Sequence, residues 1–327
     1  MLLEANNYMS VYPSYLNAYK SGQLKKIAKR LFLSLKTCQI CPRRCKVDRL
    51  NDKVGFCKTA KLPEVYSFMC HHGEEPPVSG NKGSGTIFFS HCNMGCIYCQ
   101  NYEFSQLGRG RQYSFRGLAE IMLKLQTEGC HNINLVTPTH VLPQILKSLE
   151  LAIAGGLKIP LVYNTSGYEL SETIKLLDGI VDIYLSDSRY GDDSMAEELS
   201  HAPEYVKFNQ EALIEMHRQV GVVEFTSEGL IKKGLIIRHL VLPNKVSATD
   251  KIMKFIAQEL SAETYISLMS QYLPYYKAYT NHKINRRIKL EEYEEAKQIL
   301  ERYCLSNGWI QESYGQERFA GVNIRPI

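Results

Sequence analysis

Three cysteines, Cys92, Cys96 and Cys99, stand at Cys-x3-Cys-x2-Cys spacing directly after a strand-like run at 86–90. Thiolates this close in sequence can converge on one soft metal centre, and cysteine is the usual ligand of iron–sulfur clusters. A four-iron cubane takes four ligands, so three local cysteines leave one iron open to a small molecule. The alternative is three buried free thiols. The polar character of the loop (Ser90, His91, Asn93, Gln100, Asn101) weighs against it.

A second group lies upstream, at Cys38, Cys41, Cys45 and, after Gly55-Phe56, Cys57. Four thiolates have the count for a closed tetrahedral zinc or a fully ligated cluster, a centre that is structural or carries electrons rather than binding substrate. Arg43, Arg44 and Lys46 favour thiolate over thiol. Cysteines packed without metal are the alternative; between the metals the reading leans to iron–sulfur. Ten cysteines in a small secreted chain would read as disulfides, but in 327 residues with Cys-x2-Cys groups they read as metal sites.

The stretch GSGTIFFSHCNMGCIYCQN (83–101), with aromatic Tyr98 before the last cysteine, resembles the signature of the radical S-adenosylmethionine (radical SAM) superfamily. Within it, the stretch is similar to the branch of pyruvate formate-lyase activating enzymes. The resemblance runs from about Cys38 to the C-terminus, and relatives carry a similar N-terminal cysteine group. It implies a [4Fe-4S] cluster on Cys92, Cys96 and Cys99 whose fourth iron chelates the amino and carboxylate groups of S-adenosylmethionine (SAM). It also implies an oxidoreductase that reductively cleaves SAM to a 5′-deoxyadenosyl radical for hydrogen abstraction. The partners implied are SAM, a low-potential electron donor such as flavodoxin or ferredoxin and, for an activase, a glycyl radical protein. Abstraction from a small molecule or another macromolecule is the competing enzymatic reading. A non-catalytic iron–sulfur electron carrier or redox sensor is the competing class, and it needs no SAM pocket.

Elements that would position these groups alternate at βα lengths. Helical patterns fall at 116–128, 141–154, 169–178, 203–220 and 289–304. Strand patterns fall at 86–90, 132–136, 159–163, 181–185, 235–242 and 264–269. Six strands with helix-length connections predict a parallel, right-handed α/β sheet, which suits the open partial (β/α)6 barrel that the resemblance implies, with a small cysteine-rich extension before it. The chain divides into a helical segment (1–37), a cysteine-rich metal-binding extension (38–80) and the barrel core (81–327).

Barrel enzymes carry their chemistry at strand C-terminal ends. The second strand ends in Thr137-Pro138-Thr139-His140, where many relatives have a Gly-Gly-Glu turn for the SAM amino group; Thr137 and Thr139 are the cofactor-binding candidates instead. The third ends in Tyr163-Asn164-Thr165-Ser166-Gly167, so Asn164 and Ser166 can bond a ribose or carboxylate, or Ser166 can cap a helix. The fourth carries Asp187-Ser188-Arg189, similar to the aspartate-x-lysine motif of the activating enzymes. Asp187 accepts bonds from the cofactor and Arg189 binds its carboxylate, unless the two only pair with each other. Arg238 on the fifth strand matches an arginine of the family, and Tyr98 completes the cofactor set.

Several features receive blander readings. Cys70-His71-His72-Gly73-Glu74-Glu75-Pro76-Pro77 reads as a turn or active-site wall rather than a third metal centre. Gly80, Gly83 and Gly85 precede a strand, unlike a phosphate loop. Cys130 and Cys304 read as packing residues, and His201, His217 and His282 as surface groups. The tyrosines at 272, 275, 276 and 279 form either a partner surface or a lid. A net charge of +5 makes no case for nucleic acid. The basic helix around 24–33 reads as a solvated surface helix rather than a membrane anchor. No run approaches 18 apolar residues, and MLLEANNYMS lacks a signal pattern. The expected setting is cytoplasmic and reduced.

Overall fold

The computed structural model describes residues 12–311 and the backbone of Ile324–Pro326. Residues 1–11, on which the signal-sequence reading and the start of the helical segment rest, lie outside the described residues. Eleven strands occur: β1 (Glu64–His71), β2 (Ser84–Phe89), β3 (Arg111–Gln112), β4 (Ile133–Val136), β5 (Leu161–Thr165), β6 (Ile183–Asp187), β7 (Glu224–Phe225), β8 (Ile231–Leu240), β9 (Tyr265–Met269), β10 (Gly308–Gln311) and β11 (Ile324–Pro326). They join one sheet in the order β11-β10-β9-β8-β6-β5-β4-β2-β1-β3, with β7 paired to β8. From β2 to β10 every step along this path is parallel, and the path ends in antiparallel edges.

The α/β class of the sequence reading holds, and each of the six read strands is present. A seventh parallel strand, β10, lies beyond them. Its sequence Gly308-Trp309-Ile310-Gln311 is too short to show a period. Among the described residues no pairing joins β3 to β11, and the sheet is described as an open curved one.

Helices cover the outer face for ordinary reasons. In Phe115–Thr127, Ser114 caps the start by accepting from the Gly117 amide, and Leu118, Ile121, Met122 and Leu125 fall at i, i+3, i+4 and i+7, all buried. Full burial of each such side chain stabilises the fold by about 1.5–3 kcal/mol. The basic helix Gln23–Ser34 buries Leu24, Ala28 and Leu31 while Lys25, Lys26, Lys29 and Arg30 stay exposed, as read. Its apolar stripe packs on the helix Leu142–Ala154. Among the described residues, no helix is long and apolar enough to cross a membrane.

The boundary at residue 80 needs moving. β1 is hydrogen-bonded along β2, so residues 64–80 belong to the barrel sheet and the cysteine-rich segment ends before them. Cys130, read as a packing residue, is joined to Cys70 on β1 by a disulfide with Cα atoms 5.9 Å apart. Sixty residues of sequence separation hide the pair. Cys304, also read as packing, is exposed just beyond the helix Leu290–Arg302.

Candidate metal and cofactor site

Side chains alternate sides along a strand, and residues paired across a parallel sheet share a side. Val162 pairs with Ile183, Asn164 with Leu185, Leu185 with Ile236, and Asp187 with Arg238. Val162, Ile183, Leu185, Ile236 and Trp309 form one apolar cluster with Val78, separate from the large core beneath the helices. Asn164, Asp187 and Arg238 therefore stand on the inner face above this floor, near the C-terminal ends of their strands. Period-two alternation brings these three predicted residues together from distant parts of the chain.

The cysteine loop follows β2 at the same end. Gly95 and Ile97 donate their amides to the carbonyls of Ser200 and Leu199, fastening the loop to the end of the helix Asp193–Ser200. Cys96 is buried, and its sulfur accepts from Arg189 Nη1 at 3.1 Å and from the Ser200 hydroxyl at 3.0 Å. The Met94 amide donates to Cys92 Sγ at 3.3 Å, and the Ser105 hydroxyl lies 3.1 Å from Cys99 Sγ. Burial, and after it the neighbouring Cys96, pushes the Cys92 thiol up to about 12 and the Cys99 thiol up to about 11. Three sulfurs crowded out of water resist carrying charge alone, and a bound cation reverses that preference. Sulfurs that already receive N–H and O–H donors suit thiolates of an iron–sulfur cluster. The donor set fits one. As placed, no three Cys, His, Asp or Glu side chains among the described residues form a site for a single ion. A cubane spreads its ligands more widely than one ion does.

Arg189 links the loop to the barrel. Its Nε and Nη2 donate to Asp187 Oδ2 at 2.9 and 2.5 Å while Nη1 reaches Cys96. The pair is thus neither free for a ligand nor merely a surface bridge. Tyr98 is buried, its hydroxyl 2.7 Å from that of Tyr190, which lies 2.7 Å from Ser200 Oγ. Tyr98 so belongs to a hydroxyl chain ending on Cys96, and Tyr190 and Ser200 are members that sequence reasoning missed, because 92 and 104 residues separate them from their partners.

The Gly-Glu-Glu-Pro stretch forms a wall, as read. Arg238 donates to Glu75 at 2.7 and 2.6 Å and to Glu74 Oε2 at 2.5 Å, and His71 Nδ1 lies 3.1 Å from Glu74. Burial would raise Glu74, but the Arg238 guanidinium and then His71 outweigh it and hold the carboxyl at about 2.

The remaining candidates separate. Thr137 adopts a left-handed backbone, φ 59, and donates its amide to the Asn164 carbonyl, leaving its half-buried side chain at the strand end. Ser166 is buried with its hydroxyl unpartnered. The next helix starts at Ser171 with Leu170 at its cap, so the helix-cap reading of Ser166 does not apply. Gly167 follows with φ +74, and a Cβ there would lie 2.3 Å from the Asp187 carbonyl, so only glycine permits this approach. Thr139 is fully buried and donates to Glu169 Oε1 at 2.6 Å, in a network with Thr165 and Tyr163 on the helix side of the sheet. The Tyr272–Tyr279 group acts as a lid. Tyr276 stacks on Tyr102, Tyr272 meets Tyr98 edge-on, and Lys277 donates its amide to Ile97 of the cysteine loop.

Glu169, which sequence reasoning did not single out, has a testable signature. Burial raises its carboxyl to about 7, against the hydroxyl donors that lower it. A folded value above the unfolded value of about 4.3 means stability that is present below pH 4.3 and lost as pH rises through 7, about 3 kcal/mol in all. Glu169→Gln is expected to flatten the stability profile between about pH 4.5 and 8 in denaturant titrations. An unchanged slope counts against the protonated carboxyl.

The upstream cysteines also converge. Cys38, Cys41 and Cys57 are buried and Cys45 is half-exposed, all lining one small cavity with Arg49 and His140. Arg49 Nη1 lies 3.7 Å from Cys38 Sγ. A second, solvent-open cavity of about 300 Å³ has both Cys57 and Cys92 in its wall, so the two cysteine groups are neighbours.

Together these features define a class: an α/β sheet of barrel type that presents a three-thiolate centre and a polar, charged inner face at one end. Comparison with known proteins agrees. The model of the Radical SAM superfamily matches residues 86–187. An uncharacterized protein of Methanocaldococcus jannaschii is 34% identical over 291 residues, covering 86% of this chain and 78% of that protein. Among solved structures, the FeFe-hydrogenase maturase HydG from Carboxydothermus hydrogenoformans aligns with TM-score 0.45 and 14% identity, covering 69% of this chain and 52% of that one. Methylornithine synthase (PylB) aligns at 0.41 and 11%, covering 67% and 61%. The chain spans about half to three-fifths of these two solved chains. The protein belongs to the radical SAM superfamily, a superfamily of SAM-cleaving iron–sulfur enzymes.

Proposed function

We propose that Cys92, Cys96 and Cys99 hold a [4Fe-4S] cluster and that the inner-face residues bind SAM beside it for hydrogen abstraction from a substrate. The observation that carries this is the Asp187–Arg189–Cys96 chain, which puts a cation and a carboxylate of the barrel mouth in direct contact with the cysteine loop. When bound, the cluster supplies the electron that breaks the sulfonium bond of SAM. The residues do the rest. Arg189 offers a guanidinium for the SAM carboxylate, and Asp187, Asn164, Ser166 and Thr137 offer polar groups for its amino group and ribose. Thr139 contributes through the placement of the 137–140 turn, Tyr98 through the hydroxyl chain, and Arg238 by holding the Glu74–Glu75 wall. The floor of Val162, Ile183, Leu185 and Ile236 excludes water below.

The finer proposal, a glycine of a glycyl radical protein as hydrogen donor with flavodoxin or ferredoxin as reductant, rests on the sequence resemblance alone. A reduced, cytoplasmic setting is proposed on the free thiols of both cysteine groups. A second metal centre is proposed in the cavity of Cys38, Cys41, Cys45 and Cys57.

Anaerobic reconstitution with iron and sulfide, followed by assay of 5′-deoxyadenosine under strong reductant, tests the main reading. Wild type is expected to cleave SAM, and Cys38→Ala to retain cleavage with metal lost from the N-terminal centre only. A wild type that binds its cluster yet never cleaves SAM would pass the case to the electron-carrier reading.

A further inference from the structure

His140 has one nitrogen committed and one free. Its Nε2 lies 2.8 Å from the Ser90 carbonyl oxygen, an acceptor only, so Nε2 carries the proton and Nδ1 the lone pair. Nδ1 is buried without a partner, in a residue 1% exposed. The residue lines the same cavity as the four upstream cysteines. Arg49, the nearby donor, spends its Nη2 on the His140 backbone carbonyl at 2.8 Å and its Nη1 on Cys38, so no hydrogen bond reaches the ring. A buried lone pair aimed among thiols has a metal ion as its natural partner. Ligating histidines usually donate their other N–H to a carbonyl or carboxylate, the arrangement His140 makes with Ser90.

The cavity measures about 10 Å³, room for a single ion rather than a four-iron cubane. Cys38, Cys41 and Cys57 are 6, 7 and 8% exposed, whereas Cys45 is half-exposed and packs its Sγ against Gly55.

We propose that this cavity is a mononuclear site for a zinc-class divalent ion, held by Cys38, Cys41, Cys57 and His140 Nδ1, with Cys45 outside the ligand set. The proposal rests on the second-centre reading above and gives that centre its ligands. Three thiolates and one imidazole are an established tetrahedral set for zinc. Through Nε2–H and the Ser90 carbonyl, the ion also braces the residue two positions before Cys92, so the site stiffens the entry to the cysteine loop.

The test uses the full chain carrying Cys92→Ala, Cys96→Ala and Cys99→Ala, which leaves the N-terminal centre as the metal site in question. Anaerobic cobalt(II) titration and X-ray absorption of the zinc-loaded protein are read together. The expected result is one equivalent bound, with thiolate-to-cobalt charge transfer and an imidazole scattering shell. Adding His140→Gln is expected to weaken cobalt binding at least about tenfold and to erase that shell, while Cys45→Ser changes affinity less than about twofold. A sulfur-only shell in the protein with His140 intact overturns the proposal without relying on any variant at 140. So does loss of binding with Cys45→Ser but not with His140→Gln. Uptake of iron and sulfide in place of cobalt or zinc overturns the mononuclear site and leaves a metal centre standing. Failure to bind any of these overturns the second-centre reading itself, and the proposal with it.

Discussion

Arg238→Met is expected to lower folding stability by about 3–5 kcal/mol, because it strands two buried carboxylates. Glu74 and Glu75 are 6 and 2% exposed, and the guanidinium bonds both. The His71 ring compensates Glu74 in part and leaves Glu75 without a cation. Denaturant unfolding of the variant measures the loss, and the companion Arg238→Met/Glu74→Gln/Glu75→Gln is expected to recover most of it, since removing a whole buried ion group costs far less than breaking one. A loss below about 1 kcal/mol would show that water reaches the triad and screens it. The pH dependence has a definite sign. Glu74 is held at about 2 in the fold, below its unfolded value of about 4.3, so its contribution is full above pH 4.3 and fades as pH falls toward 2. Arg238→Met should remove most of that acid-side slope.

Cys96→Ala is expected to abolish SAM cleavage. A single preorganised electrostatic partner is worth about 10²–10³ in rate, and removing a thiolate that itself holds the cluster costs more than that. Cys96 is the member of the trio that receives both Arg189 and Ser200. The readouts are cluster iron and sulfide per chain and the rate of 5′-deoxyadenosine formation. Both should collapse, while Ser200→Ala keeps the iron and shifts only the reduction potential, since hydrogen bonds to sulfur tune it. If Cys96→Ala kept full iron and activity, the three-thiolate assignment would be wrong. Retained activity in Cys38→Ala alongside lost activity in Cys96→Ala would separate the two centres by role.

Local patterns account for what is legible in the sequence. The Cys92–Cys99 spacing carries its chemistry in eight residues, because ligands to one centre can sit on a single loop. Apolar periods of two and 3.6 located the six read strands and most helices, since burial on one face writes itself into the chain. The same alternation put Asn164, Asp187 and Arg238 on one face. β10 escaped because four residues hold too little pattern to stand out.

Everything that depended on two distant residues meeting was invisible to local pattern. The Cys70–Cys130 disulfide, the Arg238–Glu74–Glu75 triad, Ser200 against Cys96, and His140 between Ser90 and the upstream cysteines each join segments that no local period connects. Thr139 and Ser166 make the point from the other side. Both end strands that the sequence located, yet one hydroxyl faces the helix layer and Glu169 while the other is buried without a partner. Residue types and short-range spacing determined the superfamily, the cluster ligands and the order of elements, because those follow from chemistry and periodicity along the chain. Which polar groups are consumed by one another and which remain for a ligand was decided only by tertiary packing, because in a water-poor interior each buried donor or acceptor takes whatever partner the fold brings within hydrogen-bond reach.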